Sequence, residues 1–121
     1  MHKQIEILKK SRLLILKVIE GLSIEQLNKI PEGFNNNIAW NIAHLTVTQQ
    51  LLCYKLSGLD CLISNEMIEK FQKGTAPNLS ISKEDFSTIK ELFLQLPNAF
   101  EEDFSKGIFK NYSCPIILYF Y

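Results

Sequence analysis

Phe86, Ile89, Phe93, Leu96, Phe100 and Phe104 recur at spacings of three and four residues, which puts them on one face of an α-helix and fits no strand. Ser82-Lys83-Glu84-Asp85 precedes this stripe as a helix start, with acids in the first turn where the macrodipole favours them. Pro97 falls inside the pattern, and its ring cannot accommodate the carbonyl four residues earlier, so a bend or interruption is expected there. Two more segments share the period. From about Lys3 to Gly21, the residues Ile5, Leu8, Ile15, Ile19 and Leu22 make one stripe, with Lys9, Lys10 and Lys17 outside it. The longest apolar-periodic stretch runs from about Asn37 to Ser57, with asparagine available as N-cap and Gly58 as terminator. No strand alternation occurs before residue 107, and the fold class is therefore all-α.

The connections differ in kind. Ser23-Ile24-Glu25-Gln26 has the form of a capping box, so a short helix should start there and end before Pro31. Glu32 to Asn37 is turn chemistry. Leu59 to Ser80 holds a short helix around Glu66 to Gln72 and then irregular chain, a length that suits a crossover better than a tight hairpin.

A chain of 121 residues supports one core. Thirteen basic and thirteen acidic side chains cancel, leaving no global field to gather polyanions, so nucleic acid is not an expected partner. The apolar runs fall short of the roughly 20 residues that span a bilayer, and Met1-His2-Lys3-Gln4 leads into an amphipathic pattern without a signal-peptide core. No membrane association and a cytoplasmic location are expected. Cys53, Cys61 and Cys114 are odd in number and form no CxxC pair, so reduced thiols are expected.

The helical pattern covers residues 1–106, and 107–121 form an atypical apolar tail. Beyond Lys110 it carries no charge and ends on Ile116-Ile117-Leu118-Tyr119-Phe120-Tyr121. It reads either as a strand or hook docking on the domain or a neighbour, or as a non-native end from a truncated or frameshifted gene.

On a helix from Asn37, His44 shares its face with Trp40, Asn41, Val47, Thr48 and Leu51. A catalytic metal needs about three protein ligands, and His2 is the only other imidazole. His44 is thus either an interface residue shielded by the Trp40 indole, or one metal ligand with Asn41 and Thr48 as hydrogen-bond partners.

The stretch Leu22-Ser23-Ile24-Glu25-Gln26-Leu27-Asn28-Lys29-Ile30-Pro31, then Gly33, Asn37 and Ile38-Ala39-Trp40-Asn41-Ile42-Ala43-His44-Leu45, with Leu56-Ser57-Gly58-Leu59 after it, resembles the DinB-like superfamily of damage-inducible, metal-binding four-helix bundles. The resemblance covers about residues 1–105. It implies an up-down-down-up bundle with a long crossover between the second and third long helices. It also implies a divalent metal, zinc or nickel, held by a histidine on the second helix and a His-x-x-x-His pair on the fourth. Relatives include thiol-dependent transferases and isomerases that use mycothiol, bacillithiol or glutathione, so a small thiol or other small-molecule substrate is implied. His44 matches the first ligand position.

The departure is plain in the sequence. No histidine follows His44, and the fourth helix is missing or replaced by the tail. The active site is expected to be incomplete, without tight metal binding and with no assignable catalytic residue. Cys53 and Cys114 would substitute as ligands only by coincidence of folding. The alternative is a metal-free helical scaffold or self-association module, a homodimer for instance, using the groove that the fourth helix would fill. A helix burying on the order of 400–500 Å² of apolar area contributes very roughly 10 kcal/mol of gross burial, so the tail or a second subunit should fill the groove, or the product is marginal. Trp40 and His44 should share a face with His44 turned toward the bundle. Phe86, Phe93 and Phe100 should be core, and Phe104, nearest the broken end, exposed.

Overall fold

The computed structural model describes residues 2–109, with His2 described by its backbone alone. Within these residues five helices follow one another: α1 His2–Ile19, α2 Ile24–Asn28, α3 Ile38–Cys53, α4 Asn65–Phe71 and α5 Lys83–Ser105. Among the described residues there is no strand. The expected all-α class is therefore observed. The apolar tail reading and Cys114 fall outside these residues.

Local chemistry accounts for the helix starts. Ser23 accepts from the Gln26 amide at 3.1 Å while the Gln26 side chain accepts from the Ser23 amide at 2.8 Å, the reciprocal capping box that the sequence announces. Asn37 Oδ1 accepts from the Trp40 amide at 2.7 Å and so opens α3. Ser64 and Ser82 do the same for α4 and α5. The second long helix ends at Cys53, earlier than the expected Ser57. Its last turn tightens into a 3-10 turn over Lys55–Ser57, and Gly58 closes it at φ +78°, a conformation that L side chains rarely adopt. Leu22, expected on the α1 stripe, lies past the helix end and is exposed.

The three long helices pack as a sheaf. Ile5 meets Phe100, Lys9 pairs with Glu101 at 2.7 Å and Arg12 reaches Phe93, so α1 runs antiparallel to α5. Ala43 packs near Phe93 and Tyr54 near Phe100, so α3 and α5 run parallel. The up-down-down order requires the crossover through residues 54–82 that carries α4. Asn28 fixes the end of that crossover next to α5. Its side-chain amide donates to the Ile81 carbonyl and accepts from the Ile81 backbone amide, both at 2.8 Å.

Two apolar clusters are separated by a polar belt. One is built on Leu27, Ala39, Ile42, Ala43, Phe86, Ile89 and Phe93. The other, on Ile5, Cys53, Tyr54, Phe100 and Phe109, sets the Tyr54 ring edge to face against its two phenylalanines. Phe109 follows a reversal at Gly107 and is buried. Phe104 departs from expectation: it is half-buried, 6.1 Å from the Phe100 ring and 6.5 Å from the Phe109 ring, because the chain beyond α5 folds back over it.

The belt between the clusters holds Arg12, Thr46, Gln49 and Gln50, all buried. Pro97 has no amide hydrogen, so the Phe93 carbonyl lacks its helical partner. Arg12 Nη1 donates to that carbonyl at 2.7 Å, Nη2 donates to the Leu45 carbonyl at 3.3 Å, and the guanidinium lies 4.5 Å from the Phe93 ring centre. The helix runs unbroken through Pro97, without the interruption considered above, and one arginine replaces its missing hydrogen bond and ties all three long helices together. Burial lowers its pKa to about 10, partly offset by the nearby Cys53.

Candidate functional site

His44 sits in the middle of α3 on the side facing α4. Trp40 is one turn earlier, and the two rings stack with centres 4.7 Å apart and planes 9° from parallel. His44 Nδ1 lies 2.7 Å from the Phe71 carbonyl oxygen. A carbonyl only accepts, so Nδ1 carries the proton and donates. Phe71 is the last residue of α4, whose terminal carbonyls have no partner within the helix. The imidazole therefore caps α4 and fixes the crossover to α3.

The same bond decides what the other nitrogen offers. In neutral imidazole one nitrogen donates and the other accepts. With Nδ1 committed, Nε2 presents a lone pair, and among the described residues the Thr48 hydroxyl approaches it, at 3.4 Å. A backbone carbonyl holding the far nitrogen is the arrangement that fixes the tautomer and orientation of a metal-ligating histidine.

His44 is half-buried and shares its face with Trp40, as expected, although it turns toward α4 and away from the α1–α5 seam. Thr48 is beside it. Asn41, the other expected partner, is elsewhere engaged: its amide donates to Asn36 Oδ1 at 3.2 Å and to the Asn37 carbonyl at 2.8 Å, holding the turn before α3.

The residues around His44 do not fit a resident metal. Among the described residues no group of three or more His, Cys, Asp or Glu side chains converges on one point. Cys53, nine residues further on, lies half a turn around α3, fully buried beside Tyr54. Burial pushes its thiol up to about 12, against a weaker pull from Arg12, so it is an inert core thiol.

This has a measurable sign. A thiol raised from 9.0 contributes stability that is fully present below pH 9 and is lost as the pH climbs toward about 12. Cys61, also raised by burial, adds to the loss. Arg12 has the opposite sign, but only above about 10. Tyr54, raised from 10.0 by burial and Asp103, adds to the loss as the pH nears 10, so the thiols lead at the start of the window from pH 9 to 10. Thermal unfolding across that window should show a falling Tm in the parent and a shallower fall in Cys53→Ala.

Tyr54 is a feature the sequence pattern did not single out. Its hydroxyl donates to Asp103 Oδ2 at 2.5 Å, and burial followed by that carboxylate pushes its pKa far upward. The pair bolts the end of α3 to the end of α5. Tyr54 lies past the C-terminal end of α3, ten residues beyond His44.

Fold and site together define a helical bundle of three long helices in up-down-down order, with a helix-bearing crossover tied to the second of them through the His44 imidazole. A family model described as the DinB superfamily matches residues 7–115, and the chain belongs to that superfamily. Comparison with curated proteins and with solved structures gave no match. No helix among the described residues is long and apolar enough to cross a membrane.

Proposed function

We propose that this chain carries one ligand position of a DinB-type divalent-metal site, His44, and does not complete that site from residues 2–109. Alone it then acts as a helical scaffold, and thiol-dependent transfer of the family kind would need further ligands supplied from outside the chain. The observation that carries this reading is the Nδ1–H bond from His44 to the Phe71 carbonyl at 2.7 Å, which leaves Nε2 as the nitrogen that accepts. The metal implied by the family, zinc or nickel, and a small thiol such as glutathione are the groups such a completed site would take.

Nitrogen NMR of the imidazole tests the geometry. In neutral His44 the expected result is a protonated Nδ1 and an unprotonated Nε2. Protonated Nε2 would mean that its lone pair is not offered to a metal, and the proposal would fail.

A second reading is self-association. Ile7, Leu14 and Val18 are 53%, 62% and 74% exposed and share one stripe of α1, turned away from Ile5 and Arg12. Under that reading sedimentation should show a mass that rises with concentration and returns to the monomer value in Leu14→Glu. A concentration-independent monomer removes it.

A further inference from the structure

We propose that Asn28 is a positioning residue for the His44 imidazole, holding both the helix that carries the Nδ1 donor and the crossover that carries the Phe71 acceptor. The inference rests on the reading of His44 given above and adds the residue that keeps its proton on Nδ1.

Three segments meet at Asn28, the last residue of α2. Its side-chain amide donates to the Ile24 carbonyl at 2.9 Å and to the Ile81 carbonyl at 2.8 Å, and its Oδ1 accepts from the Ile81 amide at 2.8 Å. Its own backbone carbonyl accepts from Asn37 Nδ2 at 3.0 Å. Asn37 is buried, and its Oδ1 accepts from the Trp40 amide at 2.7 Å. One arm of Asn28 therefore reaches the first turn of α3, one turn before His44. The other grips the crossover ten residues after Phe71, past the stretch that Thr75 folds back onto the Lys70 and Gln72 carbonyls at 3.0 and 2.8 Å.

The residue type follows from this use. Asparagine offers two amide hydrogens and an acceptor on a short side chain, and both kinds of group are engaged here. Aspartate could donate to neither carbonyl, and alanine would leave the half-buried Ile81 without these partners. Helix α3 and the crossover could then shift against each other. The bond from His44 to Phe71 spans that joint, and a hydrogen bond weakens steeply as its angle opens. Without that acceptor the proton is no longer held on Nδ1, and a proton on Nε2 removes the lone pair that a metal would take.

Nitrogen NMR of the full chain, with a chelator present and His44 assigned through His44→Ala, reads the exchange of Nδ1–H with water and the share of each tautomer. Asn28→Ala is expected to speed that exchange at least about tenfold, as local opening of the joint becomes easier, and to raise the Nε2-protonated share. Asn37→Ser keeps a hydroxyl to cap the Trp40 amide but loses the bond to the Asn28 carbonyl, so both readouts should move the same way by less. Tyr54→Phe removes the Asp103 bond at the other end of α3. It is the control for loss of stability alone and should leave both readouts as in the parent. Parental exchange in a folded Asn28→Ala would overturn the proposal, as would an equal change in Tyr54→Phe. Should Asn28→Ala fail to fold, parental exchange in Asn37→Ser overturns it instead. A parent protonated on Nε2 would sink the reading of His44 along with this proposal, whereas failure of the proposal alone shows as a parent protonated on Nδ1 with variants that match it.

Discussion

Replacing Arg12 by methionine is expected to cost about 2–3 kcal/mol of stability, and most of that cost should disappear when Pro97 is also replaced by alanine. The reason is local. Pro97 leaves the Phe93 carbonyl without a helical partner, and Arg12 Nη1 supplies one at 2.7 Å. Arg12→Met strands a buried carbonyl in the polar belt between the two apolar clusters. In the Pro97→Ala background the substituted residue regains a backbone amide hydrogen and donates it to the Phe93 carbonyl. What Arg12 still holds is then the 3.3 Å bond to Leu45. That carbonyl already has a helical partner, so the cost of Arg12→Met should fall to about 1 kcal/mol. The coupling, about 1–2 kcal/mol, is read from a double-mutant cycle by denaturant unfolding. Additivity within about 0.5 kcal/mol would show that Arg12 does not compensate for the proline.

Phe93→Ala should be more damaging still. Phe93 is fully buried in the first apolar cluster, and its ring also lies beneath the Arg12 guanidinium. Truncating a buried phenylalanine costs about 3–5 kcal/mol, and loss of the cation–π contact adds to it. The total approaches the whole net stability of a small domain, typically about 5–15 kcal/mol. The variant is expected to be largely unfolded or to melt far below the parent by circular dichroism. Phe93→Leu, which keeps much of the volume, should retain the fold. A Phe93→Ala protein that melts within a few degrees of the parent would contradict the packing described.

These two residues also mark the line between what the sequence conveyed and what it did not. Phe93 was legible, because a helix face repeats every three or four residues and the stripe from Phe86 to Phe100 follows that period. The caps at Ser23, Asn37 and Ser82 were legible for the same reason: donor and acceptor lie within three residues of each other. Arg12 was not. It interrupts an apolar stripe as an ordinary surface charge does, and its partner is a backbone carbonyl 81 residues away, whose identity no side-chain pattern encodes.

The candidate site divides in the same way. His44 and Trp40 stood out by residue type and by their one-turn spacing. The Phe71 carbonyl that sets the imidazole's tautomer is 27 residues from His44, and its availability depends on where α4 ends. Asn41 was a reasonable neighbour by helical phase but is held by the turn before α3. The end of the bundle was read too simply as well: Phe109 folds back after Gly107 and covers Phe104, through a reversal that periodicity does not reveal.

The central claim is that His44 is one prepared ligand without a complete centre around it. Metal analysis after dialysis of the purified chain against zinc, and separately nickel, tests this most directly, with His44→Ala as the comparison. The account predicts well under one retained ion per chain in the parent and no clear difference in the variant. One tightly held ion per chain, lost in His44→Ala, would contradict it and show that the remaining ligands are present in the chain.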